Sequence, residues 1–197
     1  MTYVRTVSPT EAEGPVREMY QQVEQRFGFI PNWAHLFSLR PAVRDGWNAL
    51  LSSIQSNLPV RTYELATLAA ARALRSSYCS LAHGSVLAEK VFDPPTVTAI
   101  AANAPEAPLT PAERAMMAFA EKVAVSADRI TASDVDVLRS HGYGEEEIFD
   151  IAAAAAARCF FSKLLDALGA QPDARFNALD PALQRALTVG RPIDTRP

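Results

Sequence analysis

Apolar residues recur along this chain at intervals of three and four, and no convincing alternating strand of more than four residues stands out. A chain patterned in this way can bury its apolar surface only by packing helices together. Only eight glycines are present, too few for the tight turns of a many-stranded sheet. The sequence therefore predicts an all-α protein. With 197 residues, 49% of them hydrophobic and 21% charged, one substantial core is expected, and 1–197 is read as a single domain.

Punctuation divides the pattern into helices. Ser8-Pro9-Thr10-Glu11 reads as the start of a first helix ending at Gly28, and Phe29-Ile30-Pro31-Asn32 as a connector. Helices are expected over 33–39, 41–56, 64–74 and 77–90, followed by a break at Pro94-Pro95 and a loop over 103–108. Thr110-Pro111-Ala112-Glu113 combines an N-cap, a proline in the first turn and a capping glutamate, and predicts a helix to Ser126. A short helix capped by Thr131 or Ser133, a long one over 145–168 and a last one over 180–187 complete the chain. Residues after Gly190 are expected to be loose. A weak repeat at an offset of 83 lays Glu64 on Glu147, Arg75 on Arg158, Ser76 on Cys159 and Cys79 on Ser162. It raises the possibility of duplicated helical hairpins.

Composition excludes several functions. The net charge is −3 and the basic residues are scattered, so no phosphate backbone would be neutralised and nucleic acid is not expected as a partner. Charged residues interrupt every apolar run before the 18–20 residues a membrane span requires, and the N-terminus lacks the apolar region of a secretion signal. Two cysteines eighty positions apart make no disulfide framework, so a reducing, cytoplasmic setting is expected.

Chemistry is concentrated in Ser76-Ser77-Tyr78-Cys79-Ser80-Leu81-Ala82-His83. Cys79 and His83 stand at i,i+4, on one face of a helix, where an imidazole can take a thiol proton. Cys79 also falls in the first turn, where free backbone N–H groups and the helix dipole favour an anion. Glu64 lies among apolar residues and needs a partner if buried. On one unbroken helix it would be about 22 Å from Cys79, so the chain must reverse near 74–77 or a neighbouring subunit must supply the contact. Cys159, in an apolar stretch, reads as packing, and His35 and His141 as surface or loop residues. No metal ligand set is formed by local spacing, and no cofactor is expected.

The pattern Glu64, eleven residues, Ser76-x-Tyr78-Cys79-x-x-x-His83 resembles the AhpD-like, carboxymuconolactone decarboxylase superfamily, in particular its peroxidase-related branch. Gly28-Phe29-Ile30-Pro31-Asn32 and Leu138-Arg139-Ser140-His141-Gly142-Tyr143 resemble the same branch. The resemblance implies an AhpD-like fold, homo-oligomeric assembly and reduction of a small hydroperoxide, with Cys79 as the peroxidatic cysteine and His83 and Glu64 as its proton relay. It also places Ser76 where the family has its resolving cysteine. Serine forms no disulfide, so the oxidised sulfur would be resolved by an external thiol or by Cys159. Trp33, Phe37, Trp47 and Tyr78 read mostly as core residues, some of them lining an apolar pocket near Cys79. Two other readings remain open. One is a decarboxylase-like lyase or isomerase acting by acid–base chemistry, with Arg72 or Arg75 facing the substrate. The other is a non-catalytic binding or assembly protein with no cavity at Cys79.

Overall fold

The computed structural model describes residues 2–195; Met1, Arg196 and Pro197 lie outside them. Among the described residues ten α-helices follow one another: α1 (Gly14–Phe27), α2 (Asn32–Phe37), α3 (Pro41–Gln55), α4 (Val60–Ala73), α5 (Ser77–Lys90), α6 (Pro94–Ala101), α7 (Pro111–Ser126), α8 (Ala132–Ser140), α9 (Glu145–Ala167) and α10 (Pro181–Leu187). No strand occurs among the described residues, and no helix among them is long and apolar enough to cross a membrane.

The centre is α4. Every residue from Tyr63 to Ala71 is buried, because α5, α7 and α9 pack around it. Its alanines, and Ala154, Ala155 and Ala157 of α9, keep the side-chain layer thin and let the backbones approach closely. Ala73 is the last residue of α4, and Arg75 enters the left-handed region at φ 56°. Ser76 N–H then closes the turn onto the Ala71 carbonyl at 2.9 Å, a Schellman-type stop. The chain reverses there, and α5 runs back along α4.

Most local signals translate directly into structure. Thr110 and Glu113 form the expected capping box of α7, Thr131 caps α8, and Asp180 caps α10. Three expectations need correction. The first helix does not begin at Ser8. The Ser8 hydroxyl donates to Glu11 Oε2 at 2.9 Å, closing a separate turn, and α1 starts at Gly14 with a proline in its first turn. The break at Pro94-Pro95 is instead the start of α6: Asp93 accepts from the Thr96 amide, and proline in the first turn gives up no helical hydrogen bond. Duplicated hairpins are not formed either, since the offset that lays Arg75 on Arg158 sets the α4–α5 turn on the uninterrupted interior of α9.

The segment after Gly190 is not loose within the described residues. Ile193 and Asp194 are buried, and Asp194 N–H donates to the Pro172 carbonyl at 2.9 Å. Gly190 N–H donates to Ser77 Oγ at 2.7 Å, and a Cβ at Gly190 would strike the Arg75 carbonyl. Gly190→Ala must therefore move the turn that launches α5. We expect a loss of about 2 kcal/mol, seen as a fall of roughly 4–8 °C in Tm by scanning calorimetry.

Candidate functional site

Reversal at Arg75 places α4 and α5 side by side, and this resolves the question of Glu64 within one chain. Glu64 Oε2 lies 2.6 Å from His83 Nδ1, both side chains being nearly buried. Ser76 is the backbone N-cap of α5, so Cys79 is its third residue, in the turn whose free N–H groups favour an anion. Cys79 is 1% exposed.

A further residue joins them. Arg158 of α9 reaches over from the other side of α4, its Nη1 3.0 Å from His83 Nε2 and 3.9 Å from Cys79 Sγ. A guanidinium can only donate. His83 Nε2 therefore accepts from Arg158, and its Nδ1–H donates to Glu64, which assigns the tautomer from both sides. The run is Glu64, His83, Arg158, Cys79, with one arginine nitrogen shared between imidazole and sulfur.

Burial holds the His83 imidazole below its ordinary value of 6.5; the Glu64 carboxylate opposes this, and the Arg158 guanidinium reinforces it. His83 is thus neutral at pH 7 and able to accept a proton. The same shift has a consequence for stability. Below pH 6.5 the unfolded chain takes up a proton that the folded chain refuses, so stability present above that pH is lost as pH falls toward the folded value. We expect urea unfolding to show stability decreasing between pH 7 and 5.5, with His83 contributing up to about 1.4 kcal/mol per pH unit. His83→Gln should flatten that contribution.

Cys79, His83 and Arg158 line a cavity of about 310 Å³ between α3, α5 and α9, to which Pro31 of the α1–α2 connector and Arg175 and Phe176 of the 174–178 turn also contribute. Trp47 and Phe161 stack at 5.1 Å, and Trp33 meets Phe161 edge-on at 6.2 Å. Tyr78 lines the cavity but directs its hydroxyl to Asp173 Oδ2 at 2.6 Å, while accepting from Trp33 N–H at 3.3 Å. Asp173 Oδ1 in turn accepts from Asn32 N–H at 2.6 Å. Burial raises both the Tyr78 phenol and the Asp173 carboxyl. Tyr78 therefore stays protonated and ties three segments of wall together.

The structure brings together Cys79, His83, Glu64 and Tyr78, and leaves Ser76 apart. Ser76 is fully buried, makes no side-chain cap bond and does not line the cavity. Cys159 is also elsewhere, its thiol directed to the Ala124 and Ala155 carbonyls. Arg72 and Arg75 do not face the cavity: Arg72 donates to the Ala186 carbonyl, and Arg75 is exposed. Arg26, Arg44, Arg158 and Arg175 line it in their place. Sequence reasoning missed Arg158, although a lone charge in an alanine-rich helix is the same signal that singled out Glu64.

A thiol, an imidazole and a carboxylate stand together on two antiparallel helices of an all-α, AhpD-like fold. The carboxymuconolactone decarboxylase family model matches residues 41–122, from α3 through most of α7, so this stretch is similar to that family. The fold is similar to that of the AhpD core, an uncharacterized peroxidase-related protein from Ralstonia eutropha JMP134. The two are 25% identical over 89% of this chain and 94% of that one, with a TM-score of 0.79. A peroxidase-related protein from Silicibacter sp. TM1040 is 21% identical, over 88% of this chain and 94% of that one, with a TM-score of 0.75. The debrominase Bmp8, as a cysteine-to-alanine variant in complex with 2,3,4-tribromopyrrole, is 20% identical over 93% of this chain and 95% of that one, with a TM-score of 0.72. A search of curated proteins finds no match.

Proposed function

We propose that the chain is a thiol-dependent peroxidase that reduces hydroperoxides at Cys79. The observation that carries this reading is the unbroken run from Glu64 through His83 and Arg158 to a thiol at the floor of a cavity. A thiol becomes a nucleophile only as its anion. Here the Arg158 guanidinium turns from His83 Nε2 to the sulfur, the freed Nε2 takes the proton, Glu64 supports the resulting imidazolium, and Arg158 and the first turn of α5 hold the thiolate.

The thiolate attacks one oxygen of the hydroperoxide. An S–O bond forms as the O–O bond breaks, and His83 returns the proton to the departing alkoxide, which leaves as an alcohol. Sulfur is oxidised to the sulfenic acid while the peroxide is reduced. With no sulfur at position 76 and Cys159 turned toward α7, an external thiol condenses with the sulfenic acid. Water is released and a mixed disulfide is left. A second thiol then frees Cys79 and carries the disulfide away. Such a thiol pool fits a cytoplasmic setting.

The test is mass spectrometry after hydrogen peroxide in the presence of a sulfenic-acid trap. Cys79 should be labelled at least about tenfold faster than Cys159, because thiolate character governs oxidation. Thiol-dependent peroxide consumption should disappear in Cys79→Ser. Equal labelling of the two cysteines overturns the reading. So does full peroxide consumption in Cys79→Ser.

A further inference from the structure

We propose that two copies of this chain pair through the outer face of α9, antiparallel and related by a two-fold axis, with Phe149 of each copy on Phe160 of the other. The pairing concerns assembly and does not depend on the peroxidase reading.

The pattern of α9 is the first argument. Glu146, Phe149, Ala153, Ala156, Phe160 and Lys163 follow one another at intervals of three and four in strict alternation, which sets them in one stripe along the helix. Ala153 is half-buried and the others are exposed. Phe149 is 71% exposed, more than any other large apolar side chain among the described residues, and Phe160 is 45% exposed. A solvated helix face is polar, whereas an apolar stripe at this spacing is the seam along which one helix packs on another.

Symmetry identifies the occupant. Read from either end, the stripe runs charge, phenylalanine, alanine, alanine, phenylalanine, charge, and the two charges are opposite in sign. A two-fold axis between Ala154 and Ala155 therefore sets Phe149 on Phe160, Ala153 on Ala156 and Glu146 beside Lys163, each match occurring twice. Such self-complementarity is what an isologous interface requires. The central alanines let the two helices approach to about 8 Å. The end charges are also the ones the monomer leaves unused. Glu145 pairs with Arg139 and Glu147 accepts from the Gly144 N–H, but neither Glu146 nor Lys163 enters an ion pair among the described residues. The interface also adjoins the site. Phe160 lies 5.5 Å from Trp47, which lines the Cys79 cavity, so the second copy backs that wall from outside.

Sedimentation equilibrium on the full chain tests the pairing. The wild-type protein is expected to be a dimer of twice its 21.4 kDa mass at about 20 μM, above the micromolar Kd of a small interface. Phe149→Asp should weaken association about tenfold or more, because it sets a carboxylate on a phenyl ring at both ends of the seam. Glu146→Lys and Lys163→Glu should each weaken it about threefold or more by placing like charges opposite one another, and the two exchanged together should restore it. The charge exchanges decide the matter even if Phe149→Asp fails to fold. A wild-type monomer at every concentration overturns the proposal and leaves the stripe to a different partner. A trimer does so as well, since it has no two-fold axis, and so does an oligomer that Phe149→Asp and both single exchanges leave intact. Selective labelling of Cys79 in a monomeric protein would sink this inference alone, and a dimer without such labelling would sink only the peroxidase reading.

Discussion

Arg158→Met is expected to reduce the reactivity of Cys79 at pH 7 by about tenfold or more while leaving the protein as stable as before, or more so. The two effects share one cause. Arg158 is a buried cation whose Nη1 serves both His83 and Cys79, and whose other donors find no partner. Removing a buried, incompletely paired charge in favour of an apolar chain of similar length is often neutral or stabilising. Methionine would also keep the packing on Trp47 and Phe161 that the guanidinium now provides. The sulfur, however, loses the guanidinium that lies 3.9 Å from it. The rate of Cys79 alkylation by iodoacetamide at pH 7 checks this directly. That rate should fall about tenfold or more while the thermal midpoint holds or rises. An unchanged alkylation rate would remove Arg158 from the proposed chemistry.

Glu64→Gln is expected to lower peroxide reduction by about a hundredfold, within the range that loss of a positioned acid–base group causes. Glutamine can still accept from His83 Nδ1–H, so the tautomer and the packing survive and the variant should fold. What it cannot do is oppose the charge that His83 gains on taking the thiol proton. With the carboxylate gone, burial and Arg158 act alone on the imidazole, and its proton affinity falls further. Activity should recover partly as pH rises, because hydroxide then replaces His83 in deprotonating the thiol. Glu64→Ala carries the additional cost of a buried imidazole N–H with no acceptor, about 1–3 kcal/mol. A Glu64→Gln variant with wild-type activity at pH 7 would show that the carboxylate only positions the ring.

How much of this was legible depends on how local each signal is. The bounds of α5 follow from Ser76 and Lys90, and those of α7 from a capping box four residues long, and both agree with the structure. Glu64, Cys79 and His83 stand within twenty positions, so their spacing carried them. That the chain reverses at Arg75 was required by the 22 Å estimate for a straight helix, but a non-glycine residue at positive φ gives no advance sign. Asp93-Pro94-Pro95 was misread because two prolines mark an ending as readily as a first turn, and only the Asp93 side chain decides between them. Asp173 and Arg175 lie in a connection between helices, where no helical periodicity shows which way they face. Arg158 is 79 residues from Cys79, and nothing in its neighbourhood says which helix it will face.

The hydrogen bonds that hold Asn32 in place join some of the most widely separated positions in the chain: Asn32 N–H to Asp173, which lines the cavity, across 141 residues, and the Asn32 side chain to Asp194 across 162. Contacts of such separation close large loops and are made late, after neighbouring helices have already paired. The α4–α5 hairpin, with Glu64 and His83, is in contrast a local structure able to form early. A chain that assembled in this order would place Cys79 beside its base before enclosing it, and its thiol would meet oxidants before the surrounding wall was complete.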